Sequence, residues 1–285
     1  LNILFIFLII IIVYYFIKKA HWNTKDIVFN KIKVNSALPL STGHHPKLNV
    51  LQLSDLHLEN ISISPHELYD MLKDEPLDLI ALTGDFLDRK RTIPKLVPYL
   101  KVLNQLHAKY GIYAVLGNHD YVLPEKNVTE LIGLLEKYQC KVLQNKHDTI
   151  SVNGTRVHII GIDDYSTNRS NIEASYQGIT TGTKLVLTHD PNIILDMKDD
   201  HFDYLLAGHF HGGQICYPKP YHLAKMGKLA RMNVIKGFHT QNGKPFYISE
   251  GLGQTGLNIR VGSRPEVTLH ELALAMADEE VTKAM

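Results

Sequence analysis

The chain has 285 residues, 45% of them hydrophobic and 21% charged, with a formal net charge of +1. One core can grow to roughly 250–300 residues, so this length permits a single large domain, and the near-neutral balance excludes the basic bias that would point to a nucleic-acid partner. Cys140 and Cys216 lack metal-site spacing and can form at most one disulfide, which leaves the redox compartment open.

From Leu1 to Ile17 the sequence is apolar, with Asn2 its only strongly polar residue, and it stops at Lys18-Lys19. A spanning helix wants about 20 apolar residues and at least about 17, so the segment suffices if the lysines reach back to the headgroups. A cleaved signal would need a basic start and a small-residue cleavage site, and neither is present. A buried core helix is the other alternative, but a run that is apolar all round suits lipid better. Residues 1–19 are therefore expected to be a single-pass transmembrane anchor, longer still if residues precede Leu1. Lys18, Lys19, Lys25, Lys31 and Lys33 follow it, and the positive-inside rule then favours a cytoplasmic domain.

Residues 20–46 read as a linker and first strand, with Ile27, Phe29, Ile32 and Val34 alternating and a loop over Ser41–Pro46. The main domain is expected over 47–274. In it Lys47–Leu53, Leu77–Leu82 and Ile112–Leu116 are short apolar strands, and Ser64 caps a helix over Pro65–Lys73. A second helix is expected over Ile93–His107, with Ile93, Leu96, Val97, Leu100, Leu103 and Leu106 on one face, and a third over Val128–Tyr138. This order favours right-handed βαβ units. Asn153-Gly154 and Asn242-Gly243 mark hairpins further on, and Lys184–Leu187 and Tyr204–Leu206 are buried strands. The pattern predicts an α/β fold of two packed sheets with helices outside. The tail, 275–285, shows no apolar face and is expected to fray.

Five motifs fall in order, nearly all at strand ends: Asp55-Leu56-His57, Gly84-Asp85, Gly117-Asn118-His119-Asp120, Thr188-His189 and Gly208-His209-Phe210-His211. Asp55 and Asp85 are 30 positions apart and Asp85 and Asn118 are 33, about one βαβ unit each. Consecutive parallel strands then bring these side chains to one sheet edge, where open α/β sheets bind ligands. In Asp-x-His and His-x-His the i and i+2 side chains point the same way and can grip one ion. Asp85 can offer an oxygen to each of two ions. Mixed nitrogen and oxygen donors suit two divalent metals, Mn first and otherwise Fe, Zn or Co. Any one of these motifs alone is more often a cap or a turn, but five converging in order are not.

These motifs resemble the calcineurin-like metallophosphoesterase superfamily, whose pattern is matched in full between about Asn49 and Pro265. The resemblance implies a four-layer α/β/β/α sandwich. It implies one metal held by Asp55, His57, Asp85 and His211, a second by Asp85, Asn118, His189 and His209, and a catalytic His119. The Gly208–Gln214 segment, Ser249-Glu250-Gly251-Leu252-Gly253 and the apolar N-terminus are similar to the bacterial membrane-associated branch, which includes enzymes like UDP-2,3-diacylglucosamine diphosphatase. Two metals roughly 3.5–4 Å apart would activate water against a phosphorus centre, with His119 stabilising the transition state or protonating the leaving oxygen.

Neighbouring residues carry open alternatives. Asp120 either orients His119 or closes a turn; Arg89 either contacts phosphate or pairs with Asp88 or Glu59; Asp164 and Asp190 are supporting or surface groups. Between Cys216 and Lys244 there is no acidic residue, while Lys219, Lys225, Lys228, Arg231, Lys236 and Lys244 are interleaved with apolar positions. Leu223, Met226 and Ala230 suggest one face of a short helix. The segment is either a connecting loop or a lid that meets anionic headgroups and admits an amphiphilic phosphate. The expected function is hydrolysis of phosphoester or pyrophosphate bonds on a membrane-associated or nucleotide-linked substrate. The alternative is a non-catalytic metal-binding scaffold for protein interactions.

Overall fold

The computed structural model describes residues 2–34, 46–198 and 202–274. The expected Ser41–Pro46 loop lies outside them except for Pro46, and the 275–285 tail lies wholly outside. Helix α1 (Asn2–Trp22) opens the chain and passes through Lys18-Lys19 without a break. Its side chains from Ile3 to Ile17 are all exposed, so nothing among the described residues covers its apolar surface.

Strands β1 (Val28–Val34) and β2 (Lys47–Leu53) are followed by helix α2 (Pro65–Leu72). Ser64 caps α2 as expected, in a capping box with Glu67. After β3 (Leu79–Thr83), the second helix departs from expectation. Residues Lys90–Lys95 form a tighter 3₁₀ turn, and α3 proper runs Leu96–Gln105. Pro94 is the cause, since its ring disfavours α geometry in the residue before it, while Pro98 falls in the first turn of α3, where no amide is needed. Then come β4 (Ile112–Val115), α4 (Glu125–Lys137), β5 (Cys140–Val142), β6 (Lys146–Val152), β7 (Thr155–Gly161) and the single turn α5 (Ile172–Ser175). Strands β8 (Thr183–Leu187) and β9 (Tyr204–Ala207), a turn α6 (Lys228–Arg231), β10 (Gly237–Gln241), β11 (Lys244–Ile248) and β12 (Glu266–Ala273) complete the order.

The strands form two sheets, β1-β12-β2-β3-β4-β5 and β10-β11-β9-β8-β7-β6. In the first, β2 to β5 are parallel and β12 runs antiparallel to β2. In the second, β7, β8, β9 and β11 are parallel, and the two Asn-Gly turns close antiparallel hairpins at its edges. Strand alternation decides the layers. In β3, Ile80 and Leu82 pack under α2, α3 and α4, while Leu79 and Ala81 face Leu185, Leu187 and Leu206 of the other sheet. The outer face of the second sheet is covered by Ile193, Ile194, Leu223 and Leu229, carried on short helical turns. The α/β/β/α sandwich is thus present, its fourth layer built from turns among the described residues.

The basic stretch is part of that fourth layer. It forms two turns, Tyr221–Lys225 and α6, instead of one helix. Leu223, Leu229 and Ala230 are buried in the core, and Asn192 pins the stretch by donating to the Met226 carbonyl and accepting from the Leu229 amide. Both cysteines are free, Cys140 buried and Cys216 half-buried.

Candidate metal centre

The carboxyl ends of β2, β3 and β4 in one sheet and β8 and β9 in the other converge on one site. The loops are stitched by the backbone: Asp55 N donates to Gly84 O at 2.9 Å, His57 N to Asp85 O at 3.1 Å, and Gly208 N to His189 O at 3.0 Å. Asp55, His57, Asp85, His209 and His211 all sit at positive φ, between 38° and 79°. Such backbone costs on the order of 1–3 kcal/mol per residue and concentrates at functional sites. The loops also approach too closely for side chains. A Cβ at Gly117 would lie 2.2 Å from Asp85 Oδ1, and one at Gly208 would lie 2.0 Å from Ser54 Oγ, so glycine is required at both.

Two donor sets result. Asp55, His57, Asp85 and His211 form one, and Asp85, His189 and His209 the other, all buried and each set with donor atoms within 4.8 Å of one another. In the first, His57 Nε2 and His211 Nε2 are 3.1 Å apart and His211 Nε2 is 3.3 Å from Asp55 Oδ1. In the second, His209 Nδ1 and His189 Nε2 are 3.2 Å apart. Two imidazoles sharing one cation at about 2.0–2.1 Å in tetrahedral geometry place their nitrogens at about this spacing. Asp85 Oδ2 lies 3.5 Å from His57 Nε2 and 3.0 Å from His189 Nε2, while its Oδ1 accepts the His119 amide at 2.8 Å. Contrary to the expectation of one oxygen for each ion, a single oxygen faces both sets.

Asn118, just before the His119 amide that donates to Asp85 Oδ1, has a buried Oδ1 without a hydrogen-bond partner. A buried amide oxygen left without a donor next to that contact is available to a cation. His189 is turned toward the site because its Nδ1 donates to Thr83 O at 2.8 Å, the outer contact that fixes the tautomer of a metal-binding imidazole. Burial raises the Asp85 carboxyl, but His189 and His57 outweigh it and hold the group well below the ordinary carboxylate range. Burial drives the His211 imidazole well below its ordinary value, helped by His57 and Arg260, and lowers His209 as well. His189 and His57 run the other way: burial lowers both, but Asp85 outweighs it, raising His57 and holding His189 well above its ordinary value, so a cation binding there displaces protons from these two imidazoles.

His119 stands at the rim, its side chain 30% exposed, with its ring edge-on to His57 at 4.8 Å. Asp120 does not orient it. Its Oδ2 accepts the amides of Asp85 and Gly117, at 3.0 and 2.9 Å, and its Oδ1 those of Phe86 and Leu87, at 2.8 and 3.2 Å. All four contacts are donors, so both oxygens must be bare acceptors, even though burial and the Asp85 charge push the carboxyl up to about 7. The acid that does face His119 is Asp88, with Oδ2 at 3.9 Å from Nδ1. Sequence reasoning placed Asp88 only beside Arg89, which it also meets, at 3.5 Å. Glu59 takes the backbone amides of Asp88 and Arg89. Asp164 is buried and holds Ser166 and Thr167, and Asp190 caps the turn after His189 through Asn192.

Two overlapping Asp/His sets at the shared edge of two sheets define a centre fit for a pair of divalent cations. The chain belongs to the calcineurin-like phosphoesterase family, which its residues 48–213 match. Over 257 residues it is 64% identical to the uncharacterized metallophosphoesterase YkoQ of Bacillus subtilis (strain 168), covering 90% of this chain and 94% of that one. The uncharacterized metallophosphoesterase YkuE of the same organism is 27% identical over 230 residues, 78% of each chain. The UDP-2,3-diacylglucosamine pyrophosphatase LpxG of Chlamydia trachomatis is 24% identical over 292 residues, covering 83% of this chain and 87% of its own.

Proposed function

We propose that this chain is a membrane-anchored, binuclear metal-dependent hydrolase of phosphoester or pyrophosphate bonds. The observation that carries the reading is Asp85 Oδ2, which belongs to both donor sets. Asp55, His57, Asp85 and His211 would hold one cation, and Asp85, Asn118, His189 and His209 the other. The donor chemistry suits Mn, with Fe, Zn or Co as substitutes. When bound, such a pair activates water and offsets charge growing on the phosphoryl oxygens.

The chain's own residues do the rest. The buried Asp55 and Asp85 carboxylates supply the negative charge that concentrates cations here. Asp88 faces Nδ1 of His119, which leaves Nε2 to meet the departing oxygen. As the phosphorus–oxygen bond breaks, His119 gives that oxygen a proton. Within helix α1 the run from Asn2 to Ile17 measures about 24 Å at 1.5 Å per residue, which approaches the hydrocarbon thickness of about 30 Å once Lys18 and Lys19 reach back to the headgroups. Its exposed apolar surface supports a bilayer as its environment, and the following lysines favour a cytoplasmic domain. The pyrophosphatase named among the relatives supports a lipid- or nucleotide-linked substrate.

The test is the full chain loaded with Mn and offered a nitrophenyl phosphate, its diester and a nucleotide-diphospho-lipid. Metal-dependent turnover is expected on at least one. His119→Ala should lower kcat by about 10²–10⁴ while keeping its metals, and Asp85→Asn should lose metal. A chain that binds two metals yet turns over none of these would be a scaffold.

A further inference from the structure

Helix α1 does not end in a free linker. The Ala20 carbonyl accepts the Arg260 amide at 2.8 Å, His21 Nδ1 meets the Asn258 carbonyl at 3.0 Å, and Asn23 Nδ2 donates to the Arg260 carbonyl at 2.9 Å. The side chain of that same Arg260 is fully buried. Its Nη1 donates to the carbonyls of His211, Glu250 and Arg264 at 3.3, 2.8 and 2.9 Å, and its Nη2 to those of Gly251 and Gly253 at 3.0 and 2.7 Å. Gly253 N in turn donates to Asp55 O at 2.7 Å. One residue therefore joins the end of α1 to both loops that wall the metal centre. An extended arginine spans about 7 Å from amide to guanidinium, so the His211 carbonyl lies within roughly 14 Å of the Ala20 carbonyl.

The surface around this junction is unlike the rest of the domain. Cys216 N donates to Val261 O at 2.7 Å, which sets Ile215 and Tyr217 beside the Arg260 loop. Tyr217 is 81% exposed, Tyr221 70% and Leu257 66%, and Trp22 at the end of α1 is 70% exposed. A cleft of about 240 Å³ opens beside Leu257, lined also by Gln214, Ile215, His222 and Thr255. The exposed Lys219, Lys225, Lys228 and Arg231 lie on the same stretch, which has no acidic residue. Single exposed apolar residues are ordinary. Tyrosines and aliphatics interleaved with lysines, at the point where an apolar helix leaves the domain, have the make-up of a headgroup contact.

We propose that the face formed by Tyr217, Tyr221 and Leu257 rests on the bilayer from which α1 emerges, its tyrosines and leucine in the headgroup layer and its basic side chains on lipid phosphates. This rests on the reading of α1 as membrane-spanning. It adds that the domain is docked and not tethered, with the metal centre held at a fixed height just above the lipid. The substrate class follows: a phosphate borne by a lipid whose chains stay in the membrane, presented to the site from below.

The test uses the full chain in nanodiscs of phosphatidylcholine and phosphatidylglycerol. Trp22, the chain's one tryptophan, reports the anchor through quenching by brominated lipid. In a Cys216→Ala background, with Cys140 buried and unreactive, a fluorophore is placed in turn at Tyr217→Cys, Tyr221→Cys, Leu257→Cys and Lys137→Cys, all exposed positions. Lys137 lies on α4, by the sheet edge opposite β1. The expected result is a blue shift and lipid quenching at 217, 221 and 257, with the label at 137 remaining in water. If Trp22 is quenched while 217, 221 and 257 stay wet, docking is overturned and the anchor stands. If Trp22 is not quenched, the anchor reading itself fails and docking falls with it.

Discussion

Asp120→Asn removes one oxygen from a carboxylate that gathers four backbone amides of two loops. The new amide group can accept on one side only. Whichever way it turns, two buried N–H groups lose their acceptor and face another donor. Each such loss costs about 1–3 kcal/mol, and more where the acceptor was charged, so the sum is about 3–5 kcal/mol. For a domain of this size each kcal/mol moves Tm by about 2–4 °C, which places the fall at roughly 10 °C. The assay is thermal unfolding followed by circular dichroism in detergent, with chelator present so that weakened metal binding cannot contribute. The same variant should bind Mn more weakly, because either orientation loosens the Asp85 loop, releasing the amides of Asp85 and Gly117 or those of Phe86 and Leu87. A Tm within about 2 °C of the parent would show that Asp120 is only a turn carboxylate, and the clamp would be discarded.

Metal should stabilise the fold: at a free Mn concentration 100 times Kd each site contributes about 2.7 kcal/mol, so Tm rises by roughly 5–10 °C per site over the chelated protein, and a flat response would argue against preformed donor sets. Gly208→Ala drives a methyl into Ser54 Oγ and Asp55 Oδ2, at 2.0 and 2.3 Å; metal affinity should drop about 10–100-fold, as for lost support of a ligand, measured by calorimetric titration, and unaltered affinity would mean the loop yields freely. His270 is buried between the sheets, its imidazole pushed down to about 3; below its free value of 6.5 the unfolded chain takes up a proton that the fold refuses, so stability falls as pH falls from 6.5 toward 3. Relative to His270→Gln, the parent should lose up to about 1.4 kcal/mol per pH unit across that window, and parallel curves would refute the assignment. Comparing the two proteins cancels the opposing effect of Glu266, which burial pushes up to about 7.

The site was legible in the sequence because each motif is local. Alternation along a strand, a neighbouring glycine and one βαβ unit of spacing, together with the family resemblance, point to Asp55, His57, Asp85, His189, His209 and His211, which the structure gathers into the two donor sets, and to Asn118 as a proposed further ligand. What escaped notice depends on contacts between distant segments. Strand β12 alternates apolar Val267 and Leu269 with polar Glu266, Thr268 and His270, a pattern that reads as one wet face, yet the polar residues point inward and are buried as well. They are satisfied by Tyr247 and Tyr204, and Gln52 Oε1 accepts from His270 Nε2. Partners on three other strands cannot be read from a run of eight residues. The contact of Asp88 with His119, the four amides on Asp120 and the sharing of Asp85 Oδ2 likewise arise where separate loops meet. Helix periodicity misjudged the start of α3 because Pro94 changes the local geometry without disturbing the apolar face.

The insertion of β12 between β1 and β2 has a consequence for synthesis. Every side chain of the two donor sets has been made by residue 211, yet the neighbour that covers β2 is not made until Glu266–Ala273. At about 5–20 residues per second, β2 waits on the order of 10–45 s with one edge open. The first sheet is thus closed from the far end of the message, and a nascent chain halted before Glu266 should stay open to protease although all its cation-binding groups are present.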